Sequence, residues 1–213
     1  MPYLVQRGIA LIGLIALGPL ILVLGLAVRL TSPGPAFHRA TRVRPGGTFT
    51  LYKLRSMRVD AAANGPGVTM TGDARVTRLG RLLRRTKLDE LPQLWNVVRG
   101  DMALVGPRPE DPRYMDLADP LHARVFEGRP GITGPTALAY RDEEAILAGA
   151  ALELAHEDGR AVATADDLDR AYCEQILPAK LGIDARYLES RTWRGDLAIL
   201  WATITGGAPP PIA

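Results

Sequence analysis

The stretch GIALIGLIALGPLILVLGLAV, Gly8 to Val28, runs for 21 residues without a charged side chain, between Arg7 and Arg29. A helix over it, at about 1.5 Å per residue, reaches roughly 31 Å, the thickness of one bilayer core. Gly18-Pro19 falls near the middle, where proline removes a backbone hydrogen bond and clashes with the preceding turn. Two readings follow. A single spanning helix tolerates such a proline. A hairpin-like helix broken at Gly18 and Pro19 has halves of roughly 15 Å, which reach mid-bilayer and return to the side of entry. Basic residues mark the cytoplasmic face, and both flanks are basic: Arg7 before the run, then Arg29, Arg39, Arg42 and Arg44 after it. The residues by themselves leave these two readings level. A cleaved signal peptide is disfavoured, because no small-x-small site follows the run and a single cysteine, Cys173, gives no support for export.

Around this stretch the charge is uneven. The 213 residues carry 26 Lys+Arg against 23 Asp+Glu, a net +3. Residues 1–100 hold 15 cations and 4 acids, and residues 101–213 hold 11 and 19, so +11 is followed by −8. A basic half that also contains the most apolar run disfavours an ordinary cytosolic globule or a disordered basic tail, and points to a membrane surface. Nucleic acid as a partner would explain the arginines but not the uncharged run. One cysteine excludes a disulfide within the chain, and no Cys/His spacing suggests zinc.

Downstream, Thr31-Ser32-Pro33-Gly34-Pro35 stops any helix. Two short alternating segments flank Pro45-Gly46-Gly47, which reads as a hairpin turn, with Lys53 and Arg55 on one face of the second strand. Residues 60–74, including Asn64-Gly65-Pro66-Gly67, read as a loop. Leu79, Leu82 and Leu83 have helical spacing among arginines, and Leu88, Leu91, Leu94, Trp95 and Val98 form a second stripe ending at Gly100. Pro92 suits a first helical turn, so the break between the two helices falls near Thr86–Glu90. Gly106-Pro107-Arg108-Pro109 and Pro130-Gly131-Ile132-Thr133-Gly134 read as ordered loops without regular structure. Residues 142–170 are acidic and helical in pattern. Trp193, Leu197, Leu200, Trp201 and Ile204 describe an amphipathic helix, suited to a membrane interface or to ordinary core packing.

Asp89-Glu90 is the most informative pair, holding two of the four acids in the first 100 residues beside Arg84, Arg85 and Lys87. As helix N-terminal residues the two could simply be caps. The neighbouring cations would keep both ionised. Adjacent helical side chains diverge by about 100°, so the pair would divide labour: one carboxylate attacking an electrophile, the other binding a cation or taking a proton. Attack on phosphorus requires the phosphate charge to be neutralised, a task for arginine forks and Mg²⁺. Arg108, between two prolines, has a defined direction. His38, His122 and His156 stand singly, and neither a G-x-x-x-x-G-K-[ST] nor a G-x-G-x-x-G loop is present.

These motifs resemble, in order and spacing from about Arg7 to Ile204, the bacterial sugar transferases of the monotopic polyprenyl-phosphate phosphoglycosyl transferase family. The resemblance is carried by Ser32–Pro35, Leu51–Met57, Gly72–Thr77, Leu82–Met102, Val105–Pro109 and Arg129–Gly134. It implies an α+β chain: a re-entrant membrane helix over residues 1–31, then a mainly helical cytosolic catalytic domain over 32–213 with a small β-hairpin and amphipathic interface helices. It also implies a place at the cytoplasmic face of the bacterial inner membrane. The implied reaction moves a sugar-1-phosphate from a UDP-sugar to undecaprenyl phosphate through a covalent aspartyl intermediate on Asp89, releasing UMP and starting a glycan. Asp89 and Glu90 would hold Mg²⁺, and Arg108 would bind phosphate, with Lys53, Arg84 and Arg141 near the substrate. Self-association into a homo-oligomer is compatible with the resemblance. The chain departs from the family pattern at Gly18-Pro19, where Ser-Pro is common, at Ala10, where Asp is common, and at Ala137, where Gln is common. A non-catalytic membrane-bound scaffold is the competing reading; it requires loss of a chemical residue, whereas Asp89, Glu90 and Arg108 are all present.

Overall fold

The computed structural model describes residues 1–59, 68–116 and 118–211, so Asn64-Gly65-Pro66-Gly67 of the expected loop lies outside the described residues. The apolar run forms one helix, α1 (Tyr3–Thr31), long and apolar enough to cross a membrane. Pro19 lies inside it, and helical backbone continues through Gly18-Pro19. A proline within a helix removes one backbone bond and crowds the preceding turn, which favours a bend of the axis there without ending the helix. Gln6, Ala10, Ile21, Gly25 and Val28 form the buried face. Leu94 lies over Gly13, and Ala36 and Leu54 lie over Gly25. The opposite face, including Leu4, Ile12, Ile15, Leu22, Val23, Leu26 and Leu30, is exposed, far more contiguous apolar surface than a water-facing helix carries.

Strands β1 (Phe37–Arg44) and β2 (Gly47–Leu54) form the antiparallel hairpin, joined at Pro45-Gly46 and paired from Phe37↔Leu54 to Arg44↔Gly47. Helices α2 (Arg78–Arg85) and α3 (Gln93–Arg99) flank a single 3-10 turn, Leu88–Glu90, where the sequence places the break. Gly100 ends α3 in a left-handed conformation, φ +90°, as a C-cap glycine does. Asn96 ties α3 to the hairpin: its Nδ2 donates to Thr50 O (2.7 Å), and its Oδ1 accepts from Tyr52 N (3.1 Å).

A second, parallel pair joins β3 (Ala103–Val105) and β4 (Gly131–Thr133). Residues 131–133 therefore correct the expectation of a loop without regular structure. The proline-glycine flanks mask the strand, and glycine is what permits it. A Cβ at Gly134 would stand 2.2 Å from Gly106 O, and one at Gly106 would stand 2.3 Å from Arg129 O. The remainder is helical: α4 (Pro120–Glu127), α5 (Pro135–Ala139), α6 (Glu143–Glu157), α7 (Ala165–Ala171), α8 (Leu177–Ser190) and α9 (Trp193–Thr205). One core packs β2, α3, β3 and α9 around Leu51, Val97, Val105 and Ile199; another gathers α4 and α6–α8 around Val125, Leu147, Leu168 and Leu181. Trp193, Leu197, Trp201 and Ile204 of α9 point outward, so the stripe read from the sequence faces away from the core, with only Leu200 packed against it.

Asn96 is fully buried, and Asn96→Leu would leave two backbone groups without partners. The expected outcome is a loss of about 2–4 kcal/mol of stability, read by thermal or urea unfolding in detergent.

Candidate active site

The link between α2 and α3 reverses direction through Lys87, whose φ of +56° is the one left-handed non-glycine among the described residues. Leu88 packs beside Leu54 and Leu83, which fixes the turn, and Asp89 and Glu90 follow, both buried. Neither acid caps a helix: α3 begins after Pro92, without a side-chain cap. The capping role that the sequence allowed is thereby excluded.

Glu90 sits between two cations from distant parts of the chain. Its Oε1 accepts from Lys53 Nζ of β2 at 3.0 Å and from Arg108 Nη2 of the Gly-Pro-Arg-Pro loop at 3.1 Å. Asp89 differs: its Oδ1 is buried without a hydrogen-bond partner. The electrostatics diverge in the same way. Burial raises the Asp89 pKa, the Glu90 carboxylate adds to this, and Lys53, Arg84 and Lys87 offset it only in part. Burial acts to raise Glu90 as well, but Lys53 and Arg108 outweigh it and hold that carboxyl well below its usual range. The cations act unequally on the two acids: the direct ion pairs all fall to Glu90, and at Asp89 desolvation outweighs the neighbouring cations. An unpaired, desolvated carboxylate beside a neutralised one can attack an electrophile or take a hard cation.

Lys53, Arg84, Asp89, Glu90, Arg108 and Arg141 all line one open cleft, and a bacterial sugar transferase family model matches residues 3–208. The chain belongs to that family. A UDP-glucose:undecaprenyl-phosphate glucose-1-phosphate transferase of Caulobacter vibrioides is 49% identical to this family member over 122 residues, 54% of this chain and 45% of that protein. A UDP-N-acetylgalactosamine-undecaprenyl-phosphate N-acetylgalactosaminephosphotransferase of Aeromonas hydrophila is 39% identical over 138 residues, 61% of this chain and 33% of that protein. The exopolysaccharide production protein PSS of Rhizobium leguminosarum is 40% identical over 134 residues, 59% of this chain and 66% of that protein. The match thus spans less than two thirds of each of these relatives.

Within this family member, Lys53 and Arg108 meet Glu90 directly, whereas the other cations have different partners. Arg84 donates Nε to Glu144 Oε1 of α6 at 2.8 Å. Arg141 turns its guanidinium to Gly206 O (2.8 Å) and Gly207 O (3.3 Å), behind the end of α9. Arg55, which the strand pattern places beside Lys53, instead clamps the carbonyls of Ser32 and Pro33, and Gly34 at φ +110° makes room for it. Five residues near the site escaped the sequence reading: Glu110, Glu143, Tyr172, Lys180 and Asp184. Lysine usage carried a signal. Of 26 cations only Lys53, Lys87 and Lys180 are lysines, and all three line this cleft.

The two neighbouring carboxyls pull on stability in opposite directions. Asp89 rises above 3.8 on folding, so its contribution is most favourable below that value and is lost as pH climbs through the higher folded-state value. Glu90 falls below 4.5, so its contribution is present above 4.5 and is lost as pH drops through the lower folded-state value. Near neutral pH, Asp89→Asn is expected to stabilise the protein, and Glu90→Gln to destabilise it by about 3 kcal/mol or more, because Lys53 and Arg108 lose their shared partner. Unfolding midpoints followed between about pH 4 and pH 8 check both signs, and the Asp89→Asn gain should shrink toward the acid end.

Proposed function

We propose that the chain transfers a sugar-1-phosphate from a UDP-sugar to undecaprenyl phosphate, with Asp89 as the nucleophile. The observation that carries this reading is the buried, unpartnered Oδ1 of Asp89 next to a Glu90 already neutralised by Lys53 and Arg108. In the first step the Asp89 carboxylate attacks the sugar-bearing phosphorus, the bridging P–O bond of the diphosphate breaks, and UMP leaves with the electron pair. In the second, an oxygen of undecaprenyl phosphate attacks the same phosphorus, the bond to Asp89 breaks, and the carboxylate is regenerated as the lipid diphosphosugar forms. A nucleophile bound only weakly to neighbours needs little desolvation before attack. Arg108 and Lys53, fixed on Glu90, present positive charge to the leaving phosphate.

Mg²⁺ fits these residues. The orphaned Asp89 oxygen is a hard donor, and Mg²⁺ characteristically takes one or two carboxylates and completes its shell with substrate phosphates and water. Among the described residues no group of three or more His, Cys, Asp or Glu is placed to hold a metal. Asp89 and Glu90 would hold the ion, which supplies charge neutralisation of the diphosphate when bound.

For the membrane, the reading is a re-entrant α1 on the cytoplasmic face. Its support is that both halves of the helix pack on the same domain. Gln6 Oε1 accepts from Leu104 N at 2.8 Å, and Arg7 Nε donates to Val98 O at 3.0 Å near one end; Val28 packs on Leu54 and Leu83 near the other. A helix that crossed the bilayer would carry one of these ends away from the domain. Outward Trp193 and Trp201 on α9 suit the headgroup layer.

The reaction is tested by UMP release from a panel of UDP-sugars with polyprenyl phosphate and Mg²⁺, using membranes that carry the chain. Asp89→Asn is expected to reduce release by a factor on the order of 10³ or more while membrane fractionation is unchanged; normal turnover would remove Asp89 as nucleophile. For topology, Leu4→Cys and Leu30→Cys are introduced after the exposed Cys173 is replaced by serine. Both should react with an impermeant reagent from the same side, and labelling from opposite sides would restore a spanning helix.

A further inference from the structure

Behind Arg108 lies a buried polar network that the reaction as proposed does not use. Lys180 of α8 is 3% exposed at its side chain. Its ammonium donates to Glu110 Oε1, Glu143 Oε1 and Tyr172 Oη, each at 2.9 Å, which uses all three of its protons. Tyr172 Oη donates to Glu110 Oε2 at 2.7 Å. One helical turn further along α8, Asp184 Oδ2 accepts from the backbone N–H of Arg108 at 3.3 Å, and its Oδ1 bonds Thr136 Oγ1 at 2.5 Å. Residues four apart share a helix face, so α8 grips the loop at two points: the main chain at Arg108 and the side chain at Glu110.

We propose that Lys180 is a positioning residue for the transfer reaction, pairing with Glu110 and Glu143 so that the Arg108 guanidinium stays with Glu90 and an incoming phosphate. The alternative partners are close. Arg108 feels attraction from Glu143 and Glu110 as well as from Glu90, and attraction between buried charges is weakly screened. With the ammonium gone, Glu110 and Glu143 would lose their shared cation, and Arg108, already attracted to both, would be free to turn toward them. The guanidinium would be drawn back from the dyad, although no residue touching substrate had changed. The network also explains why the acidic α6 is joined to this domain. Its first residues, Glu143 and Glu144, each hold a cation of the cleft, Lys180 and Arg84.

This inference rests on the proposed reaction, and the experiment separates the two. The full chain in membranes or detergent is compared with Lys180→Met and with the charge-balanced Lys180→Met/Glu143→Gln, reading KM and kcat for the UDP-sugar and the Kd of inorganic pyrophosphate. Lys180→Met is expected to raise KM and the pyrophosphate Kd by about tenfold, the range seen when an outer partner of a binding group is lost, with kcat changed less. The double variant is expected to recover most of that loss, because the local charge is restored without the ammonium. A folded Lys180→Met with unaltered KM and Kd overturns the proposal, and so does a folded double variant as impaired as the single. If Lys180→Met does not fold, the double variant decides alone: values near those of the unmodified chain support the proposal, and tenfold weaker ones overturn it. An unmodified chain that turns over no UDP-sugar defeats the reaction instead, and the pyrophosphate Kd values still decide the role of Lys180.

Discussion

The pairing of Glu90 with Lys53 and Arg108 is the interaction on which the rest of the structure converges. It joins three segments that are remote in sequence: the end of the hairpin, the turn between α2 and α3, and the loop after β3. Each segment has its own anchor. Asn96 fixes the hairpin to α3, Leu88 fixes the turn to the Leu54–Leu83 cluster, and the Gly106–Gly134 approach fixes the loop. Ion pairs in a half-buried site repay their desolvation only when geometry is already set. These three anchors set it before the charges meet, so the pairs cost little ordering of their own.

A consequence is that two adjacent carboxylates become chemically different. Their residue types and sequence surroundings are nearly the same; their hydrogen bonds are not. Glu90 takes the cations and stays ionised, while Asp89 is left desolvated with an oxygen unbonded. Under the proposed reaction this is a useful asymmetry, because the nucleophile must be available and its partner must not compete for phosphorus. Cations of the first half meet acids of the second in the cleft: Glu144 pairs with Arg84 and Asp111 with Arg42. The split of +11 and −8 between the halves is thus partly resolved inside the fold, across the cleft.

Much of this was legible in the sequence, for local reasons. Pro45-Gly46 can only turn, so the hairpin is visible; the leucine spacing and Gly100 define α3; and the run from Leu82 to Met102 locates the dyad. What the sequence hid depends on contacts between distant residues. β4 looks like a loop because its glycines signal flexibility until Gly106 is seen against them. Gly18-Pro19 is visible in the apolar run, but the domain against which both halves of α1 pack is not. The environment of Asp89 is not visible locally, because Arg85 and Lys87, its neighbours in sequence, are not the groups that act on it most strongly: burial is the largest influence and Lys53 of the distant hairpin the next. Lys180 stays hidden because a lone lysine beyond the acidic 142–170 stretch gives no local sign of being buried.

The apolar helix α1 and the cleft are physically one unit. Gln6 is fully buried on α1, and its side-chain carbonyl accepts from the N–H groups of Leu104 and Val105, the last two residues of β3. Gly106-Pro107-Arg108 follows directly, with prolines on both sides of Arg108 limiting how far the main chain can deviate. From Gln6 to the guanidinium the path therefore contains a buried hydrogen-bonded strand and a stiff loop, and no hinge. If the outward face of α1 sets the depth of the protein in the bilayer, the same rigid path sets the height of Arg108 and Glu90 above it. Under the proposed reaction, a soluble donor and a lipid-borne acceptor differ mainly in where their phosphates can stand, and a fixed height would let one set of charges serve both.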